Sequence, residues 1–420
     1  MVFPASIMRL GGFGLVFLYQ LLLARLMGAR GFGEYTVIFT WINFLLVGCL
    51  FGFDASVFKL FPSFTEQQQW NKLKGFLTFS KRTILVVSIL SSFALLFLLL
   101  KNSGRYGVSF SEALFWALLL LPLLAFIYYY SAVLRAFRKY KVALLFVKII
   151  LPVLISIACF IYYELNNQTL KVDAAMFIYL CSALVVLLFI SGRVKKQFSS
   201  SLVDCTNEFE RKVWLKASIP VFVISAVSLL IKSGDILFIS YYFGNTRAGI
   251  YAVATLIASF VPFVVSVPES FYLPRIHELR ESRQHEKLQQ TIRKSTKAIL
   301  VIALPMVFII IGFGKFFLQI FGTAFIASYL PLVILTAGHI ANIRIGMVAG
   351  IQKTSGNQKK FLAAHILAGI LNIALNFIFV PLLGMIGAAI SSVLSLTALN
   401  LLVYFFGKKK FKVPVAAVIF

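Results

Sequence analysis

The chain has 420 residues, of which 60% are hydrophobic and only 13% charged, and its mean hydropathy is +0.93. Soluble domains average about 25% charged residues, so a water-soluble globular fold is excluded and a membrane-embedded one is expected. The formal net charge of +26 would suggest a nucleic-acid partner in a soluble chain, but in a membrane protein it is accounted for if the basic residues gather in the cytoplasmic loops.

A helix needs about 20 mostly apolar residues to cross roughly 30 Å of hydrocarbon. Twelve runs qualify, at about 6–26, 35–60, 83–100, 113–134, 142–163, 173–192, 217–242, 249–274, 297–320, 327–351, 362–383 and 385–406. All are expected to be helices, because backbone exposed to lipid must satisfy its own hydrogen bonds. The first run has no basic segment before it and is read as a true span rather than a cleavable signal peptide. Pro122, Pro152, Pro262, Pro305, Pro331 and Pro381 fall in or near the ends of runs and are expected to kink or break the helices.

The segments after the second, fourth, sixth, eighth and tenth runs, with the C-terminal tail, hold 29 of the 40 Lys and Arg residues, and the alternate segments hold six. This alternation predicts both termini on the cytoplasmic side and absorbs the positive charge without any nucleic acid. The outer loops are short, about twelve residues or fewer.

The chain also echoes itself. The pattern Gly28, Gly33, Tyr35 returns as Gly244, Gly249, Tyr251, an offset of 216 residues at all three positions. A half-chain repeat of apolar spans is a transporter signature. With six spans per half, the halves share one orientation. The expected organisation is an all-α polytopic membrane protein: an N-terminal six-helix lobe over 1–192, a polar basic linker over 193–216, a C-terminal six-helix lobe over 217–406 and a basic tail over 407–420.

Catalytic motifs are missing. There is no phosphate-binding loop, no H-E-x-x-H, no G-x-S-x-G and no paired C-x-x-C. Cys49, Cys159, Cys181 and Cys205 lack metal-ligand spacing and read as free thiols. No enzyme activity, cofactor or metal site is expected.

Several stretches carry a family likeness. They are Leu26 to Tyr35 followed by Gly52-Phe53-Asp54, Asp235-Ile236-Leu237 leading into Gly244, Gly249 and Tyr251, and Leu332 to Gly338. Leu371 to Phe377 with Pro381, Gly384 and Gly387-Ala388-Ala389 completes the set. In this order they resemble the Wzx-type O-antigen and exopolysaccharide flippases of the MOP superfamily, which also holds the MATE drug exporters and the lipid II flippases. The likeness runs from about Arg9 to Phe406. Members usually carry a short basic lead before the first span, whereas only five residues precede it here, as expected of a chain that begins short of the usual start. The resemblance implies two six-helix lobes around a central cavity. It also implies transfer of an undecaprenyl-pyrophosphate-linked oligosaccharide across the bacterial inner membrane by alternating access. Membrane lipids and other assembly proteins, such as the polysaccharide polymerase, are the implied partners. A cation-coupled MATE-type antiporter is the alternative, and a polymerase or other membrane enzyme is disfavoured by the short outer loops.

Ionisable residues inside spans are costly and are functional candidates by default. Ser225, Ser228, Lys232 and Asp235 fall at helical spacing in the seventh span, and the 216-residue offset maps them onto Arg9, Gly12, Val16 and Tyr19 in the first. Arg9, Lys232, Asp235 and Arg344 are candidate cavity residues, Arg344 because a guanidinium fork suits a diphosphate. Lys232 and Asp235, three apart, could instead neutralise one another. Asn372 and Asn376 share a stripe with His365 and Gly369, either contacting sugar or acting as packing glue. Asp54, Glu269 and His339 are candidates for coupling or gating. Arg25, Lys148 and Lys315, near span ends, read as snorkelling side chains. Together the span interiors carry more cations than anions, which favours an anionic cargo.

Overall fold

A computed structural model describes residues 2–101, 108–198, 205–282, 284–353 and 358–411. Among these residues every regular element is helical. The chain divides into two compact units, Met1–Ala226 and Val227–Phe420.

The first unit contains α1 (Val2–Leu50), α2 (Phe53–Glu66), α3 (Trp70–Lys101), α4 (Val108–Ala136), α5 (Tyr140–Leu144), α6 (Leu151–Leu165) and α7 (Val172–Phe198). A π-helical turn, Leu145–Ile150, joins α5 to α6. It immediately precedes Pro152, whose ring would crowd the carbonyl of Lys148 in a regular helix, and the widened turn relieves that clash. α4 packs against α1, α2, α3 and α7. Its Leu120, Leu121, Ala125, Ile127 and Val133 are fully buried, and its Tyr129 hydroxyl hydrogen-bonds to that of Ser80 on α3. The next helix, α8 (Arg211–Phe243), begins in this unit and ends in the second.

The second unit continues with α9 (Asn245–Ala258), α10 (Phe260–Glu281), α11 (His285–Gly312), α12 (Gly314–Phe321), α13 (Tyr329–Lys353), α14 (Gln358–Leu383) and α15 (Met385–Phe411). α9 is buried without interruption from Ala248 to Ala254, so it is surrounded on all sides. α15 packs along α13 and α14. Asn342 donates to Thr397 Oγ1 (3.1 Å) and accepts from Asn400 (2.7 Å), tying α13 to α15. Such interhelical bonds in a membrane are worth roughly 0.6 kcal/mol each.

Eleven stretches among the described residues are long and apolar enough to cross a membrane. The first, Gly11–Leu50, is 40 residues long. At 1.5 Å per residue that is about 60 Å, twice the hydrocarbon thickness. Gly28 divides it, with φ 67° and ψ 179°, into two pieces, each close to one hydrocarbon thickness, which makes twelve such stretches among the described residues. Gly244 has nearly the same backbone conformation, φ 85° and ψ 166°, at the corresponding point between α8 and α9. Only glycine adopts this region without strain. The two glycines of the repeated pattern therefore turn the chain in the same way.

The prolines act less uniformly than expected. Pro152 follows the π turn, while Pro262 and Pro331 stand in the first turns of α10 and α13, just past breaks in the chain. Pro122, Pro305 and Pro381 lie inside unbroken helices. One missing backbone donor is tolerated where neighbouring turns and helices compensate.

Candidate functional site

α8 shows two faces around its middle. Ser225, Ser228 and Lys232 are exposed. Ile231 (6% exposed) and Asp235 (1%), one turn apart, are buried, with Ile231 packed in a core with Ala364, Ala368, Leu399 and Val403. The stripe read from spacing therefore splits. From Ser225 to Asp235 an ideal helix turns about 1,000°, which leaves Asp235 roughly 80° away from Ser225 and in line with Ile231 instead. Lys232 and Asp235 do not neutralise one another: among the described residues no ion pair joins them, and the carboxylate has other partners.

Asp235 Oδ2 accepts hydrogen bonds from the hydroxyls of Tyr251 on α9 (2.5 Å) and Ser392 on α15 (2.9 Å). Its Oδ1 accepts from the backbone N–H of Ile236 (3.0 Å). Gly234, beside it, faces Asn372 of α14. Asn372 donates to Ser395 Oγ (3.2 Å), and Asn376 donates to the Asn372 carbonyl oxygen (2.9 Å). Asn372, Asn376 and Ser395 are fully buried. Four helices thus bring six polar side chains together inside the second unit. The Asp235 carboxylate is held by two hydroxyls and a backbone amide, with no ion-pair partner among the described residues.

The first unit has a counterpart. Tyr19 and Tyr35, 216 residues before Asp235 and Tyr251, are buried and share a hydroxyl–hydroxyl hydrogen bond. Tyr179 is buried with them; it stacks on Phe39 (5.5 Å), which stacks on Tyr35 (5.8 Å). Tyr179 and Ser392 each occupy the eighth position of a 27-residue helix, α7 and α15. The same framework holds a neutral cluster in one unit and an ionisable one in the other.

Other candidates lie elsewhere. Asp54 stands in the first turn of α2, half-buried, within electrostatic reach of Arg135 at the end of α4. His339 is half-buried on α13. His365 is buried, and its Nδ1 donates to the Phe361 carbonyl oxygen (2.9 Å), so the His365, Asn372, Asn376 stripe faces inward along its length. Arg9, Glu269 and Arg344 belong to α1, α10 and α13, but their side chains lie outside the described residues. Among the described residues no three His, Cys, Asp or Glu side chains gather as a metal site. Sequence reasoning missed Tyr251 and Ser392 as partners of Asp235. The 216-residue echo already marked Tyr251, whereas nothing in the spacing marked Ser392.

The fold is similar to that of solved transporters of the MOP superfamily. An inward-facing multidrug-resistance MATE-family transporter of that superfamily superimposes with a TM-score of 0.75 at 18% identity, over 97% of this chain and 98% of that one. The lipid II flippase MurJ in an inward closed conformation does so with a TM-score of 0.75 at 17% identity, over 99% and 89%. The family described as polysaccharide biosynthesis protein matches residues 2–280, and the chain belongs to that family. A probable low-salt glycan biosynthesis flippase of Haloferax volcanii, Agl15, is 24% identical over 164 residues. That match spans 38% of this chain and about a third (34%) of that relative.

Proposed function

We propose that this protein is a flippase that moves a polyprenyl-diphosphate-linked oligosaccharide across the membrane for cell-surface polysaccharide assembly, of the O-antigen or exopolysaccharide kind. The observation that carries this reading is the exposed Lys232 with Ser225 and Ser228 in the middle of α8. A lysine at that depth is expensive against lipid, so this face addresses water or a polar cargo. A cation there suits a diphosphate. Family membership and the likeness to Agl15 support a glycan as the rest of the cargo.

In this reading the two units are the lobes of an alternating-access cycle, with both termini on the cytoplasmic side of a bacterial inner membrane. Arg9 and Arg344 join Lys232 in meeting the cargo, while Asp235, with Asn372 and Asn376 beside it, is the group that a proton or monovalent cation engages. Asp54, Glu269 and His339 take gating roles. The cargo, the surrounding lipids and downstream assembly proteins are the partners, and no covalent chemistry is required. A carrier shifts no equilibrium unaided, so direction comes from an ion gradient or from consumption of the product.

The test uses purified protein in liposomes with a fluorescent polyprenyl-diphosphate oligosaccharide. Leaflet exchange well above that of empty liposomes supports the proposal. No acceleration under proton or sodium gradients would overturn it. Gradient-driven efflux of organic cations would instead favour the MATE-type antiporter, a reading that the buried Asp235 also suits.

A further inference from the structure

The segment ahead of α8 is fastened to the first turns of α3. The N–H of Thr206 donates to Asn71 Oδ1 (3.0 Å) and that of Glu208 to the Asn71 carbonyl oxygen (3.3 Å). The Lys74 ammonium donates to the Cys205 carbonyl oxygen (2.7 Å), and the Thr78 hydroxyl to Asn207 Oδ1 (3.2 Å). Lys72 lies 2.7 Å from the Glu210 carboxylate and 3.8 Å from that of Glu208. A side chain at position 75 would overlap the Glu208 carbonyl, so Gly75 is what lets the segment lie this close.

The fastening continues into α8. Trp214 is fully buried, 5.5 Å from Phe76, 5.6 Å from Phe79 and 6.4 Å from Phe209 between ring centroids. Ser218 and Ser56, both buried, share a hydrogen bond of 2.8 Å. Exposed ion pairs add little, so the close approach at Gly75 and the burial of Trp214 hold the segment. Pro220, just beyond, removes one ladder hydrogen bond from α8.

We propose that residues 205–218 form a clasp that keeps the first two turns of α8 fixed on α3 throughout the working cycle, so that α8 acts as a lever anchored at one end. The clasp needs no ligand, and Gly75 and Trp214 are its positioning residues. The proposal rests on the transport reading for its purpose, though not for its geometry.

The experiment locks and breaks the clasp in the full chain. Thr78→Cys with Asn207→Cys, on a background carrying Cys181→Ser and Cys205→Ser, is bridged with a short bifunctional thiol reagent. In liposomes with the fluorescent polyprenyl-diphosphate probe, the bridged protein should exchange lipid within about twofold of its unbridged form. Gly75→Leu should slow exchange at least tenfold with folded protein still present. Gly75→Ala, whose single methyl still overlaps the Glu208 carbonyl, should slow it severalfold if Gly75→Leu does not fold. Loss of exchange on bridging would overturn the proposal, because the clasp would then have to open, and so would wild-type rates in the folded clasp variants. If the unmodified protein exchanges nothing, the flippase reading fails separately. The clasp is then judged by hydrogen exchange, with protected amides at 206 and 208 expected and rapid exchange overturning it.

Discussion

Asp235 accepts a hydrogen bond from Tyr251, sixteen residues further on, in the place where Tyr19 and Tyr35, also sixteen apart, bond hydroxyl to hydroxyl in the first unit. The two pairs share a position in the repeat but differ in charge. Bonds to an ionised acceptor are about twice as strong as neutral ones. Tyr251→Phe should therefore destabilise the detergent-solubilised protein by about 2–3 kcal/mol, and Tyr35→Phe by about 1 kcal/mol. Thermal unfolding followed by size-exclusion chromatography checks this, and equal losses would mean that Asp235 carries no charge in the resting protein.

Gly28 and Gly244 hold a backbone region that other residues enter only under strain. Gly28→Ala and Gly244→Ala should each cost roughly 1–3 kcal/mol. A Cβ at either position meets nothing within 4 Å, so the loss would come from the backbone alone. Thermal stability measured on both variants should fall by similar amounts, and an unchanged melting temperature in either would show that the turn can rearrange.

The exposed face of α8 should be wet. Single cysteines at Ser225, Ser228 and Lys232 should react with a charged, membrane-impermeant thiol reagent in intact vesicles. A cysteine at Phe308, whose side chain is 72% exposed on an apolar helix, should not. Lys232→Ala should reduce transport at least tenfold and Lys232→Arg much less, with both inserted normally, since the lost group faces cargo rather than lipid. Full activity of Lys232→Ala in the liposome assay would remove this lysine from the cargo path.

The distribution of basic residues predicts sidedness. Reporters fused at Lys74, Arg138, Arg211 and Lys359 should signal cytoplasm, and those at Asn167 and Asn245 the opposite side. A mixed pattern would contradict twelve crossings with both ends inside.

The helices were legible because each span is a long apolar run, and the break at Gly28 was legible because its pattern recurs at Gly244. The surroundings of Asp235 were only partly so. Spacing placed it with Lys232 on one stripe, but ten residues of helix carry it round to the row of Ile231. Ser392 was hidden for a different reason. The last helix of each half is offset by 213 residues rather than 216, because the intervening segments differ in length. The link between Ser392 and Tyr179 therefore emerges only once helix ends are known. The clasp was illegible too: nothing in the polar stretch 205–210 distinguishes a fastened strand from a solvated linker.

The pairing of a tyrosine at position 19 with an aspartate at position 235 also sets a stoichiometry. The duplicated framework offers two equivalent places for an ionisable group, and one of them is occupied by a phenol, which stays neutral at physiological pH. If this pair links transport to an ion, it can carry one elementary charge per turnover and no more. Across a membrane potential of 100 mV, one charge supplies about 2.3 kcal/mol. The potential alone would then sustain an accumulation of roughly fifty-fold, to which the ion's own concentration gradient and the charge of the diphosphate add or subtract, and a gradient of lipid-linked glycan steeper than their sum would need to be drawn forward by the enzymes that consume it.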